Sequence, residues 1–253
     1  MFFMIGCIIQ ARMGSSRLPG KVMMKLDNSQ PILYYVIKQH QFCNLVDKIV
    51  VATTELESDD IIAEFTHNME VDCFRGNSTN VLDRYYQCAK KYNFSIIIRV
   101  TADNPFNDPQ VVDKVVEEFK SKDYDYITNS LPRTFPQGIS VEIFSFDVLE
   151  KAWNNAKLPS EKEHVTPYIY NHPDDFKISN FRYEKDFSNI RCTVDRDNDY
   201  KLTKIIASEI KKSPILVSDI LNLFKEKPEL FEINKDHILD EGYKISLEED
   251  KVS

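Results

Sequence analysis

The sequence has no excess of basic residues, and this argues against one large class of partners. Lys and Arg together number 32 against 40 Asp and Glu, which gives a formal net charge of -8 at pH 7. Proteins that bind nucleic acids normally present a broad basic surface to the phosphate backbone. We therefore expect no nucleic-acid partner.

Long hydrophobic runs are also missing. Residues 1–9 are mostly apolar, but no basic residue precedes them, and Gln10 and Arg12 follow directly. The stretch is too short to span a bilayer and lacks the form of a signal peptide. We expect a cytoplasmic protein with no membrane partner.

The signatures of several familiar sites are absent. The five cysteines are odd in number and far apart, which is typical of free thiols, and the histidines lack the spacing of zinc ligands. No G-x-G-x-x-G occurs. A P-loop does not fit either, because five residues separate Gly14 from Gly20 and Val22 stands where Ser or Thr is needed.

What the sequence does have is a dense polar segment after its first apolar stretch. Residues 3–9 run into a segment that holds Arg12, Arg17 and Lys21 together with Gly14 and Gly20. Glycines let the backbone approach a ligand, and arginines bind phosphate oxygens with a planar fork. The pattern predicts a strand that leads into a phosphate-binding loop. An ordinary basic surface loop is the alternative.

Strands and helices alternate through the first half of the chain. Apolar runs predict strands at 3–9, 47–53, 71–75 and 95–101. Helical spacing follows each of them, at 31–37, 58–65, 80–92 and 109–120. This order predicts an α/β fold with a mainly parallel sheet, helices on both faces, and a ligand at the carboxyl ends of the strands.

The alternation ends near residue 124. Strands are predicted at 124–128, 139–144, 176–181 and 191–194. Helices are predicted at 146–157, 160–171, 199–211 and 213–224, and the last dozen residues are expected to fray. We expect this half to complete the sheet and to cover the second side of a cleft.

The segment A-R-M-G-S-S-R-L-P-G-K, residues 11–21, resembles the opening signature of the sugar-activating cytidylyltransferases. Within that superfamily the chain most resembles the spore coat polysaccharide biosynthesis protein F group, which is related to the acylneuraminate and 3-deoxy-manno-octulosonate cytidylyltransferases. The resemblance implies a nucleotide-diphospho-sugar transferase-like fold in one domain over 1–253. It has a CTP-binding half at 1–122, an acceptor-side half at 123–212, and a helical piece and tail at 213–253.

The same resemblance implies roles for the loop residues. Catalytic roles fall to Arg12, Arg17, Lys21 and Asp103. The nucleotide contacts that it implies come from Gln10, Ala11, Arg12, Gly14, Ser15, Ser16, Arg75, Gly76 and Arg84. For Arg84 an ion pair within the protein is an equal alternative.

Two carboxylates follow predicted strands, Asp103 after 95–101 and Asp195 after 191–194. The resemblance implies that they bind Mg²⁺, which prefers one or two carboxylates together with substrate phosphates. From the residues alone, a turn or a helix cap is the commoner role for such an Asp. The family more often has Val-Asp-Thr-Pro-Glu-Asp here, whereas this chain has Val-Asp-Arg-Asp-Asn-Asp.

The acceptor side is expected to involve Gly138 and Glu142, which resemble an acceptor-binding strand, and Glu163 and His164, which resemble another family segment. Arg133 is a candidate for binding an acceptor carboxylate, with a solvent-exposed arginine as the alternative. Ser140 stands where relatives more often have aspartate, so the acceptor is open.

The function that these features predict is transfer of CMP from CTP to a sugar, in particular an acidic 3-deoxy-2-ulosonic acid, with release of pyrophosphate. It would serve surface polysaccharide or glycoconjugate synthesis, with Mg²⁺ as cofactor and with a homodimer possible. The alternatives are a nucleotidyltransferase with another base or a sugar phosphate acceptor, a nucleotide-binding protein without turnover, and a glycosyltransferase using Asp123 and Asp125.

Overall fold

The computed structural model describes residues 3–27 and 29–252. Within them, one mixed sheet of seven strands has the order β3-β2-β1-β4-β6-β5-β7. The strands are β1 (Ile5–Gln10), β2 (Lys48–Thr54), β3 (Asp72–Gly76), β4 (Ile96–Thr101), β5 (Tyr126–Thr128), β6 (Glu142–Ser145) and β7 (Ile178–Asn180).

The first four strands are parallel, with β1 between β2 and β4. Strand β6 then runs antiparallel to β4, β5 antiparallel to β6, and β7 parallel to β5. The predicted α/β fold with a mainly parallel sheet is confirmed. Because the four parallel strands point the same way, their carboxyl ends form one edge.

Helices cover both faces of the sheet. They are α1 (Ile32–Gln41), α2 (Asp60–Asn68), α3 (Val81–Lys91), α4 (Pro109–Ser121), α5 (Phe146–Asn155), α6 (Pro159–His164), α7 (Pro167–Tyr170), α8 (Asp197–Glu209), α9 (Val217–Glu226) and α10 (Glu241–Asp250). Short 3-10 turns lie at Lys21–Met23, Glu57–Asp59 and Pro228–Asn234.

The side chains of β1 alternate between two hydrophobic clusters. Cys7 and Ile9 pack into the cluster that includes α1 and α4, whereas Ile8 packs into the one that includes α3 and α5. All three are fully buried. Burying a side chain of the size of Ile stabilises a fold by about 1.5–3 kcal/mol. The apolar run of β1 therefore fixes the strand that carries the polar loop in the middle of the sheet.

Two predicted elements differ from the structure. Residues 191–194 do not form a strand, since only Arg191 makes an isolated bridge, with Gln137. The helix predicted at 160–171 is divided, because Val165 has φ +73° and α7 starts only at Pro167. A proline at this place lacks the N–H that a continuous helix needs. His164 and Tyr168 therefore do not share one helical face.

The expectation that the last dozen residues fray is also wrong for the part of the C-terminus that the structure describes as helical, up to Asp250. Ser253 lies outside the described residues. Residues Glu241–Asp250 form α10, which packs against α6. The backbone N–H of Ser160 donates to Asp250 Oδ1 at 2.9 Å. Polar contacts rather than an apolar stripe hold this helix, which is why its charged sequence predicted no structure.

None of the helices in the described ranges is both long enough and apolar enough to cross a membrane.

Gly138 is required by its backbone conformation and by its neighbours. Its φ is +96°, and a Cβ built there would lie 2.6 Å from the backbone nitrogen of Thr193. The backbones pair closely here, since Gln137 N donates to Ile190 O at 2.8 Å and Cys192 N donates to Gln137 O at 2.7 Å. Any side chain at 138 would separate these two segments.

We expect Gly138→Ala to lower the free energy of unfolding by roughly 2 kcal/mol or more, because it combines a left-handed backbone with a backbone clash. Gly14→Ala is the matched control, since a Cβ at Gly14 meets nothing within 4 Å. Urea unfolding followed by circular dichroism measures both. Equal losses in the two variants would contradict the role of Gly138.

Candidate active site

The site lies where the carboxyl ends of β1 and β4 meet. These adjacent strands pair Gln10 with Thr101, so the loops after them start side by side. A cavity of about 320 Å³ opens over this edge. The residues predicted for nucleotide binding or catalysis that line it are Gln10, Ala11, Arg12, Ser15, Ser16, Arg17, Lys21, Arg84 and Asp103.

The loop after β1 folds back on itself. Gly20 has φ +70°, and its N–H donates to Met13 O at 2.9 Å. Met13 N donates to Asp59 Oδ1 at 2.9 Å, and Asp59 also accepts from the hydroxyls of Thr53 and Thr54. Burial alone would raise the pKa of Asp59, but these hydrogen bonds lower it. Asp59 thus stays ionised and anchors the loop, a role that its sequence position did not reveal.

Lys21 brings together segments that are far apart in the chain. Its Nζ donates to Asp103 Oδ2 at 2.8 Å, to Asp195 Oδ1 at 3.0 Å and to Val194 O at 2.7 Å. The residue is only 8% exposed. Burial works against the charged ammonium, but the two carboxylates outweigh it and raise the pKa of Lys21. The structure therefore places three predicted site residues in one ionic cluster.

Asp195 is the most heavily paired carboxylate of this cluster. Besides Lys21, it accepts from Arg17 at 2.6 Å through Oδ1 and from Arg191 at 2.8 Å through Oδ2. Burial opposes its charge, yet Lys21 and the two arginines lower its pKa well below the usual range. Asp195 is therefore an anion at any physiological pH.

Arg191 pairs with the carboxylates of this cluster, and it is a site residue that the sequence analysis did not single out. Its guanidinium bonds Asp199 Oδ1 at 2.8 Å and Gln137 Oε1 at 3.0 Å in addition to Asp195. Asp199 in turn accepts from the backbone N–H groups of Asp195 and Arg196, as expected for a capping residue. The spacing of Arg191, Asp195 and Asp199 by four residues each was the available signal.

The nucleotide-side residues divide into two groups. Arg84 lines the cavity. Gly76 does not line it but lies next to Arg84, since a Cβ at Gly76 would be 3.3 Å from Arg84 Cγ. Arg75 points elsewhere. Its guanidinium donates to Thr54 O at 3.0 Å and Leu56 O at 2.8 Å, outside the cavity lining. Gly14 also is not part of that lining.

Three buried polar atoms of side chains that line this cavity have no hydrogen-bond partner among the described residues: Gln10 Oε1, Arg84 Nε and Arg99 Nε. The other end of Arg84 donates to Asn77 O at 2.8 Å. Burial lowers the pKa of Arg84 from its very high ordinary value. An acceptor and two donors with unmet bonding capacity are suited to a polar ligand such as a heterocycle.

A second cavity of about 240 Å³ adjoins the first and shares Arg17, Asp103 and His164 with it. Its lining contains Arg133 and Gly138, two of the residues that the sequence analysis assigns to the acceptor side. The Arg133 guanidinium donates to Ser140 Oγ at 3.0 Å and lies 3.9 Å from Asp240. Burial lowers the pKa of Arg133, and nearby carboxylates partly offset this.

Glu142 lines neither cavity. Its carboxylate accepts from the hydroxyls of Tyr126 and Thr166 at 2.6 Å each and forms an ion pair with Arg99. Burial opposes its charge, but Arg99 and the hydroxyls lower its pKa. Both oxygens are thus committed within the protein. Glu142 holds Arg99, and it is Arg99 that lines the first cavity.

Glu163 and His164 lie at the end of α6 and line the first cavity, but they also contact α10. Ser246 Oγ donates to Glu163 Oε2 at 2.9 Å and lies 3.0 Å from His164 Nε2. Glu163 also pairs with Arg12 at 3.2 Å. Burial, with the charge of Arg99, lowers the pKa of His164, so the imidazole is neutral at pH 7.

The site combines a basic loop, paired carboxylates and two joined cavities at the strand ends. Comparison with known proteins identifies the family to which such a site belongs. The profile of a family described as cytidylyltransferase matches residues 6–239. The chain belongs to the cytidylyltransferase family. The resemblance seen in residues 11–21 is confirmed, and the protein is a nucleotidyltransferase of that family.

Individual relatives support the same placement. The spore coat polysaccharide biosynthesis protein SpsF of Bacillus subtilis is 33% identical over 231 residues, which cover 88% of this chain and 94% of that protein. A 3-deoxy-manno-octulosonate cytidylyltransferase of Lawsonia intracellularis is 32% identical over 117 residues, 44% of each chain. A cytidylyltransferase structure from Leptospira borgpetersenii has a TM-score of 0.88 at 32% identity and covers 94% of this chain and 99% of its own.

We expect Arg191→Met to destabilise the cytidylyltransferase by about 3–5 kcal/mol at pH 7, because it leaves buried carboxylates without their cation. The pKa of Asp199 lies below its ordinary 3.8 in the fold, where burial is outweighed by Arg191. Its contribution is therefore present above that value and is lost as pH falls through the lowered pKa. Urea unfolding at pH 7 and at about pH 3.5 should show the difference from wild type shrink at the lower pH.

Arg182→Met is the control, since Arg182 is exposed. It should alter stability little at either pH. A loss for Arg191→Met that is the same at both pH values would contradict the ionic role of Arg191.

Proposed function

We propose that this protein transfers CMP from CTP to an acidic sugar, with release of pyrophosphate. The observation that carries the proposal is the cluster of Lys21, Asp103 and Asp195 between two adjoining cavities. One cavity is lined by the basic loop and suits a nucleoside triphosphate. The other holds Arg133 and suits an anionic acceptor.

In the proposed reaction an acceptor hydroxyl attacks the α-phosphorus of CTP, and the bond to the pyrophosphate oxygen breaks. Such transfers depend mainly on alignment and on stabilisation of spread negative charge. Arg12, Arg17 and Lys21 neutralise the triphosphate and the leaving pyrophosphate. For a 3-deoxy-2-ulosonic acid the attacking group is the anomeric hydroxyl, whose proton passes to the leaving pyrophosphate or to solvent as the new oxygen–phosphorus bond forms.

Magnesium is the cofactor that we propose, and the donor set fits it. The carboxylates of Asp103 and Asp195 lie close together, since both bond the same Lys21 ammonium, and carboxylate oxygens are the hard ligands that Mg²⁺ prefers. The groups of three or more His, Cys, Asp and Glu that a protein-only metal site needs do not occur in residues 3–27 and 29–252. Substrate phosphates would have to complete the ligand set. A bound Mg²⁺ would add charge neutralisation at the phosphate oxygens.

The base and the acceptor are recognised by different side chains in this proposal. Gln10 Oε1 and Arg84 Nε, both unpartnered among the described residues, face the ring of cytosine. Arg133 binds the acceptor carboxylate, because its planar guanidinium lines the second cavity and its hydrogen-bond partner there, Ser140, is neutral. The name of the Lawsonia relative, which specifies an acidic sugar, supports this choice.

The name of the Bacillus relative supports a place in polysaccharide synthesis. The cytoplasmic location and the homodimer stay predictions.

The proposal is tested by incubating the protein with each of four nucleoside triphosphates and with acidic sugars, neutral sugars or sugar phosphates. Pyrophosphate release and mass spectrometry report the product. We expect CTP and an acidic sugar to react in Mg²⁺ and not in EDTA. Conversion of sugar phosphates alone would refute the proposal of an acidic acceptor. Full activity in EDTA would refute the proposal that the reaction needs Mg²⁺. CTP binding without pyrophosphate release would indicate a non-catalytic protein.

Arg133→Ala should raise the KM for the acidic sugar about tenfold or more, because a charge-assisted hydrogen bond contributes about 1.5–3 kcal/mol. The KM for CTP should stay as it is. Arg182→Ala is the control, since Arg182 is exposed. An unchanged KM for the acidic sugar in Arg133→Ala rules out the carboxylate role.

Lys21→Ala should reduce turnover by about 2–4 kcal/mol in barrier height, the effect of removing a preorganised donor from developing charge. Lys25→Ala serves as its control, because Lys25 is exposed and lies four residues further along. Steady-state rates are compared after circular dichroism has shown both variants to be folded. Near-normal rates for Lys21→Ala exclude the ammonium from the reaction.

A further inference from the structure

The C-terminal helix α10 lies over the site, although the family profile ends at residue 239. Gly242, Ser246 and Glu249 line the first cavity. Asp240, Glu241 and Gly242 line the second. One short acidic segment thus borders both the proposed nucleotide cavity and the proposed acceptor cavity.

The carboxylates at the start of α10 approach the two arginines that the proposed reaction needs. Glu241 Oε2 lies 3.7 Å from Arg17 Nη1, and its Oε1 bonds Arg196 at 2.5 Å. The Arg17 guanidinium also lies against Gly242, where a Cβ would come within 3.3 Å of it. Asp240 Oδ1 lies 3.9 Å from Arg133. Each of these acidic side chains occupies a place suited to a substrate anion.

The attachment of α10 is mainly polar. Ser246 bonds Glu163 and His164, and the ring of Tyr243 meets the edge of His164 with centroids 5.3 Å apart. Its larger aliphatic side chains contribute little, since Ile245 is 51% and Leu247 38% exposed. Such a helix can leave its position without opening the hydrophobic core.

A bound triphosphate and the α10 carboxylates compete for the same cations. Glu249 lines the proposed nucleotide cavity, and Glu241 lies beside Arg17, which lines both cavities. Both carboxylates would face the charges of a bound triphosphate, and like charges at short distances repel. We propose that residues 240–250 form an autoinhibitory strap, whose carboxylates stand in for substrate anions at Arg17 and Arg133 and which substrate anions displace. The identity of those anions rests on the proposed function, but the competition itself does not.

The strap makes a quantitative prediction for anion binding. When the competent state is only a fraction of the population, the apparent affinity is reduced by that fraction. Removing the competing carboxylate should therefore tighten binding. We expect Glu241→Gln to bind inorganic tripolyphosphate about fivefold or more tightly than wild type in isothermal titration calorimetry, and Asp240→Asn combined with Glu241→Gln to bind at least as tightly.

Glu248→Gln is the matched control, because Glu248 lies on the same helix, is exposed, and pairs with Lys251 instead. It removes the same charge and should leave the affinity unchanged. If Glu248→Gln tightened tripolyphosphate binding as much as Glu241→Gln, the effect would come from net charge alone, and the strap proposal would be overturned. Equal affinities in all proteins, or no tripolyphosphate binding to any of them, would also overturn it.

Hydrogen exchange of wild type gives a second measurement that needs no variant. Amides of 241–250 should exchange faster when tripolyphosphate is bound, and slower exchange would instead mean a lid that closes on its ligand and would refute the strap. The result of this experiment is independent of the result of the activity assay for the proposed function. If tripolyphosphate displaces the strap but no acceptor receives CMP, the strap stands and the proposed function fails.

Discussion

The ionic cluster around the Lys21 ammonium is the interaction on which the rest of the site depends. Lys21 and Asp103 follow adjacent parallel strands, whereas Asp195 comes from a segment that forms no strand. A buried charge is tolerated only when it is paired and hydrogen-bonded, and here every member has several partners. Arg191 continues the pairing to Asp199 and so to the start of α8. The cluster therefore ties the second half of the chain to the loop after β1.

Much of the fold followed from local sequence patterns. The apolar runs of β1, β2 and β4 and the helical spacing between them predicted a parallel sheet, and a parallel sheet places Lys21 and Asp103 at one edge. Asp195 could be joined to them only through family resemblance, because 174 residues separate it from Lys21. No periodicity carries information over such a distance.

The remaining differences have tertiary causes. Glu142 has the sequence context of an acceptor residue, but Tyr126, Thr166 and Arg99 surround its carboxylate. Arg75 lies in the expected strand, β3, yet its guanidinium donates to the backbone carbonyls of Thr54 and Leu56 at the edge of the sheet. Helix α10 lacks an apolar stripe, and contacts with α6 stabilise it instead. In each case a partner distant in sequence decides the role, and local propensity cannot report that partner.

The strand order also bears on how such proteins diversify. The basic loop and Asp103 belong to the parallel strands, whereas Arg133 and Ser140 lie in the connection between β5 and β6, where the sheet is antiparallel. Neighbouring strands are spaced about 4.8 Å apart whatever their side chains. Under the proposed function, substitutions of Arg133 or Ser140 would change which acceptor is recognised without altering the pairing of β1 with β4, whereas Gln137 and Gly138 of the same connection are held by their contacts with residues 190–193.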